Sequence, residues 1–175
     1  WARYSVAQGI LTKDQIDSNY KGNLLLATED AAHQGFATSE PYKYANLESG
    51  VVNVAYTLIH DLGWNSYAQN LAIRADKLEA LRPCLEALVP IMQQAQLDYI
   101  TSPDRANAII KAAVVAFDSW WTQSDGDLAN GAAQLRDLKL IGNGDTPTFG
   151  DLEESRVNDF IDRKSTRLNS SHITI

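Results

Sequence analysis

Residues 51–59, VVNVAYTLI, and residues 70–74, NLAIR, decide the fold class. The first run is β-branched and aromatic, a composition that suits a pleated, half-buried surface, and it predicts a strand. The second predicts another strand, after the turn-forming Gly63-Trp64-Asn65-Ser66. Just upstream, Phe36-Ala37-Thr38-Ser39 is a shorter strand-like run that stops at Glu40-Pro41. From Asp76 onward the pattern is helical. The strand-like runs lie between helical patterns, at 2–10 and 24–34 before them and from Asp76 after them, and this mixture predicts an α/β fold, rich in helix.

The helical tract has several parts. Leu81, Leu85, Leu88, Val89 and Met92 recur at i, i+3, i+4 spacing and predict one buried face. Pro83 and Pro90 lie in this run, and each removes an amide donor, so a helix should start or kink there. Next, Ser102 reads as an N-cap with Pro103 in the first position. Ala106, Ile109, Ile110, Ala113, Val114, Phe117 and Trp121 then form an apolar stripe. A third helix is predicted over 128–138, with Leu128, Ala132, Leu135 and Leu138 inward. After the turn at Gly142-Asn143-Gly144, a last one is predicted over 151–162, burying Val157, Phe160 and Ile161. Near the start, residues 2–10 carry a short helical pattern, and Thr12 with Gln15 forms a capping box. Residues 24–34 predict another helix, closed by Gly35.

Composition bounds the function classes. The 175 residues, 45% hydrophobic and 21% charged, can bury roughly 70% of the surface the unfolded chain exposes, and disorder is not expected. A net charge of −7 repels phosphate backbones and anionic lipid, which argues against a nucleic-acid or membrane-surface partner. Cys84 is the only cysteine, so no intrachain disulfide forms. The chain opens at Trp1 inside a helical pattern without an initiator Met, as a piece of a longer protein would. From Lys164 the periodicity stops, and RKSTRLNSSH resembles translated sequencing adapter, so 164–175 reads as a non-native tail.

Catalytic chemistry needs convergent groups, and few are present. His60 precedes Asp61, but metal-dependent hydrolases need further His and Asp ligands that the chain does not supply. Cys84 follows Pro83 at an expected helix start, where the dipole lowers a thiol pKa, yet no base is near in sequence; a packed thiol is the plainer reading. Gly142-Asn143-Gly144-Asp145 lacks the spacing of a phosphate-binding loop. Of Trp120 and Trp121, adjacent on an expected helix, one should be core and one rim.

The most informative segment is 35–44, GFATSEPYKY. It joins a strand end to two hydroxyls, a carboxylate and two tyrosines, and ligands of open α/β sheets bind where strands end. Thr38 and Ser39 can donate or accept, Glu40 can accept from ligand N–H groups, and Tyr42 or Tyr44 can stack. Equally, Ser39 can be the N-cap of a helix that Glu40 and Pro41 begin. Both readings fit.

This segment, together with VAYTLIHDLGWNSYAQNLAIRADKLEALRPCLEALVPIMQQAQLDYITSP at 54–103 and IGNGDTPTFGDLEESRVNDFID at 141–162, resembles the substrate-binding proteins of ABC importers. The similarity is to the nitrate/sulfonate and thiamine-precursor superfamily and runs over residues 1–163. It implies part of a type II periplasmic-binding-protein fold. Residues 1–46 would be the later part of lobe two, ending at the cleft edge. Residues 47–75 would cross back through the hinge, and 76–163 would be C-terminal helices packing on lobe one. The first half of lobe one, and any signal peptide or lipobox Cys, would then precede this sequence.

The implied function is that of a solute-binding component, with Thr38, Ser39, Glu40 and Tyr42 as ligand-binding residues. It would capture a small molecule between two lobes and present it to an inner-membrane permease, as a monomer without cofactor or metal, in the periplasm or anchored outside the cytoplasmic membrane. Two alternatives remain. The superfamily also holds pyrimidine-precursor synthases with a cysteine-rich motif, absent from these residues. Binding-protein lobes also occur as sensory modules.

Overall fold

The structure, a computed structural model, describes residues 1–17, 31–48, 52, 54–144 and 146–170, with side chains to Asp162 in the last helix. Among the described residues all regular structure is helical. The α-helices are α1 (Ala2–Ala7), α2 (Glu40–Ala45), α3 (Leu78–Thr101), α4 (Asp104–Ala116), α5 (Asp125–Asp137) and α6 (Glu154–Ser170). Single 3-10 turns lie at Lys13–Gln15 and Ala75–Lys77.

The strand expectations are not met in the described residues. Phe36 to Ser39 run into a turn, and 54–58 and 70–74 are irregular, while Val51 and Asn53 lie outside the described residues. β-branched composition equips a segment for a sheet, but a strand exists only where a second segment accepts its backbone hydrogen bonds. Here the backbone bond given to this stretch joins Val52 N–H to the Tyr44 carbonyl at 3.0 Å, a local closure rather than a ladder.

The chain divides into two compact units. One comprises Trp1–Phe36, Ala55–Ser66 and Ser155–Ile175; the other comprises Ala37–Val54 and Tyr67–Glu154. In the first unit, Tyr4 and Ser5 of α1 are buried. The Tyr4 ring meets Trp64 edge-on at 5.3 Å, and Trp64 meets Phe160 of α6 in the same way at 5.0 Å. Gly63 makes this approach feasible: its φ of +89° belongs to the left-handed region, and a Cβ would lie 2.5 Å from the Tyr4 hydroxyl. Arg156 Nε donates to the Asn65 carbonyl at 2.6 Å, tying α6 to the same turn. The expected box at Thr12 is present, with Gln15 Oε1 accepting from the Thr12 N–H at 2.8 Å, but it opens a single 3-10 turn.

In the second unit α5 is the hub, in contact with α2, α3 and α4. Its start is doubly bonded: Ser124 Oγ accepts from the Asp127 N–H at 3.0 Å, and Asp127 Oδ2 accepts from the Ser124 N–H at 2.9 Å. Leu128 and Ala132, on one face a turn apart, are buried. This pair was expected. The helix nevertheless starts three residues before the apolar pattern does, because the capping box rather than the first leucine sets its origin.

Other boundaries differ for identifiable reasons. Pro83 and Pro90 both lie inside α3, which runs through them for 24 residues. Each leaves the carbonyl four residues earlier, at Glu79 and Glu86, without its usual donor, and the helix absorbs both losses. Ser102 closes α3, its N–H on the Asp98 carbonyl at 2.8 Å, and Pro103 occupies the N-cap position of α4. Ala31 to Gln34 are not helical, so Gly35 caps nothing, and 24–30 lie outside the described residues. The last helix starts at Glu154 and continues to Ser170, past the expected end at 162.

The expected buried faces are only partly covered. Leu81, Leu88 and Met92 of α3 are exposed, as are Ile109 of α4, Phe117 and Trp121 beyond it, and Ile161 of α6. The helical spacing is as read, but a stripe is buried only where another element lies against it.

Candidate ligand-binding segment

The segment 35–44 becomes a turn followed by α2. Gly35 and Phe36 are exposed, Ala37 to Ser39 turn, and Glu40 starts the helix with Pro41 in its first turn. There the missing proline N–H is one that the helix could not have bonded in any case. Lys43 N–H closes the first turn on the Ser39 carbonyl at 3.1 Å. Asn46 ends the helix, its N–H on the Lys43 carbonyl at 3.1 Å and its Nδ2 on the Tyr42 carbonyl at 2.8 Å.

Thr38, Ser39, Glu40 and Tyr42 are all half-buried. Ser39 occupies the N-cap position, yet its side chain makes no capping hydrogen bond. The position expected of a cap is therefore filled while the bond that defines one is missing. Thr38 is held through its backbone: its carbonyl accepts from Asn130 Nδ2 at 3.1 Å, across 92 residues of sequence. Gly131, beside it, would bring a Cβ to an ordinary 3.6 Å from the same oxygen.

Tyr42 has a different task from the one its ring suggested. Its hydroxyl lies against Gly126 in the first turn of α5, and a Cβ at Gly126 would overlap it. The structure brings Thr38, Ser39 and Glu40 together on one turn and gives Tyr42 to packing. Asn130 and Gly126, which hold the segment, were not among the expected site residues.

The remaining chemistry-bearing groups do not converge. His60 Nδ1 and Asp61 Oδ1 are 3.2 Å apart on an exposed turn. No group of three or more potential metal ligands occurs among the described residues. Cys84 is exposed and lies well inside α3, so it is neither the packed thiol expected nor at a helix N-terminus. Trp120 and Trp121 follow the end of α4, beyond Asp118 with its positive φ, and both are exposed, Trp120 at 90%. No helix among the described residues is long and apolar enough to cross a membrane.

Comparison of the chain with protein-family models, characterised proteins and solved structures finds no match.

Proposed function

We propose that the chain belongs to the solute-binding component of a bacterial ABC importer, acting outside the cytoplasm. It would deliver a small molecule to an inner-membrane permease. The α/β type II binding-protein architecture is part of this proposal. Sequence resemblance over 1–163 motivates it, and one observation carries it to a site. Ser39 sits where a cap should be without capping, next to half-buried Thr38 and Glu40. A hydroxyl that the helix does not use, beside a carboxylate, is an arrangement that can bond a ligand.

The carboxylate narrows the ligand class. Glu40 repels nitrate and sulfonates and accepts from N–H groups, so the segment suits a flat, N–H-bearing heterocycle such as a pyrimidine. Transport would follow from differential affinity: a ligand that binds the closed form better shifts the population towards it, and the permease reads that form.

A thermal-shift screen of the full-length protein, both lobes present, tests the proposal. Ligand at a hundredfold excess over Kd stabilises by about 2.7 kcal/mol, which raises Tm by several degrees. Pyrimidines are expected to produce the rise, and Glu40→Gln to abolish it. Stabilisation by taurine or nitrate and not by pyrimidines would remove the heterocycle assignment. No response from any small solute would remove the carrier.

A further inference from the structure

We infer that Gly126 and Asn130 of α5 are positioning residues for the binding segment, so that α5 sets where Thr38, Ser39 and Glu40 stand. The inference rests on the carrier proposal for what the segment binds, but its geometry is independent of any ligand.

Three observations combine. First, Gly126 lies in the first turn of a helix, where glycine is still less favourable than alanine because it surrenders more backbone freedom. Glycine there has a local reason: the Tyr42 hydroxyl occupies the space a Cβ would take, and the ring carbon bearing that hydroxyl would be only 2.8 Å from it. Second, Asn130 lies four residues on, one turn along the same face, and its amide reaches a backbone carbonyl of the segment, at Thr38. Third, α5 is itself fixed, by the Ser124–Asp127 box at its start and by the burial of Leu128, between the two contact points, and of Ala132, just beyond them. The segment is thus gripped on both sides of Ser39 and Glu40: at Thr38 just before them and at Tyr42 just after them.

One grip is a hydrogen bond and the other is a steric seat, so each can be released separately. Asn130→Asp keeps the side-chain shape and removes the donor. Gly126→Ala raises helix propensity while blocking the seat, so its effect has a sign that decides the question. If Tyr42 sits on Gly126, the alanine variant lowers Tm; if it does not, the variant raises it.

The experiment is amide hydrogen exchange on the full chain, with Tm and with thermal shift by cytosine as the ligand readout. Gly126→Ala and Asn130→Asp are expected to speed exchange at Lys43 and Asn46 at least tenfold, leave exchange in α4 unchanged, and shrink the cytosine shift. Adding Tyr42→Phe to Gly126→Ala should recover part of the lost protection, because the overlapping oxygen is gone. Should Gly126→Ala prevent folding, Asn130→Asp still decides. Unchanged exchange at Lys43 in Asn130→Asp, or a raised Tm in Gly126→Ala, would overturn the inference. A parent chain indifferent to cytosine would count against the ligand class alone, since the exchange results stand without it.

Discussion

Helices α3 and α5 belong to the same unit and invert what their sequences promise. α3 has 24 residues with Leu78, Leu81, Leu85, Leu88, Val89, Ile91, Met92 and Leu97, and none of its residues is buried. α5 has 13 residues, DGDLANGAAQLRD, with two leucines, and it carries the buried pair Leu128 and Ala132. Hydropathy would rank them the other way. What α5 has is small residues, Gly126, Ala129, Gly131, Ala132 and Ala133, which let neighbouring backbones come close, and a start fixed by a capping box. Size and anchoring, more than apolar content, decide which helix becomes the hub.

Truncating one leucine on each helix puts the largest effect on this contrast. Leu128 is 8% exposed, and Leu128→Ala should remove its transfer free energy and leave a cavity, costing about 2–4 kcal/mol. Leu88 is 40% exposed, and Leu88→Ala should stay within about 0.5 kcal/mol. Urea denaturation of both variants measures the difference. Equal losses would mean that α3 is covered in solution, and the contrast would fail.

Capping gives a smaller effect of the same kind. Ser124→Ala removes the acceptor of the Asp127 N–H and should cost about 1 kcal/mol. Lys77, at the N-cap of α3, makes no side-chain bond, so Lys77→Ala should leave the midpoint where it is. If Lys77→Ala costs as much as Ser124→Ala, the start of α5 is no better anchored than that of α3.

The same contrast explains how much was legible in the sequence. The helices from Asp76 onward and the inward placement of Leu128 and Ala132 follow from 3.6-residue spacing, a local property. The box at Ser124 was also local, serine followed three residues later by an acid, though that acid is Asp rather than the commoner Glu or Gln. The strands at 36–39, 51–59 and 70–74 depended on partners elsewhere, and composition carries no record of a partner. Covered faces were illegible for the same reason: the stripe at Leu81, Leu88 and Met92 is real, and nothing in it says whether another element lies on it. Of the proposed site, Thr38, Ser39 and Glu40 all come from one decapeptide. Asn130 could not be read with them, being 92 residues away. Gly126 could not be read either: it lies two residues before the pattern expected from Leu128, and only the Tyr42 hydroxyl against it gives a reason for a glycine there.

The smallest test concerns the C-terminal end of α3, where its cover is most continuous. Near its C-terminus Leu97, Tyr99 and Ile100 are half-buried, and the Tyr99 hydroxyl donates to Asn107 Oδ1 of α4 at 3.0 Å. Burial raises the Tyr99 pKa above its ordinary 10.0, because the phenolate is the form that loses water. The folded state therefore holds this proton more tightly than the unfolded chain. The resulting stabilisation is complete below the unfolded pKa and is lost as pH rises through the folded one. Between about pH 9 and 11 the Tm of the parent chain should fall more steeply than that of Tyr99→Phe, by a small margin since Tyr99 is only half-buried. Parallel curves would show that the end of α3 is as open to water as its middle, and the contrast with α5 would then extend along the whole helix.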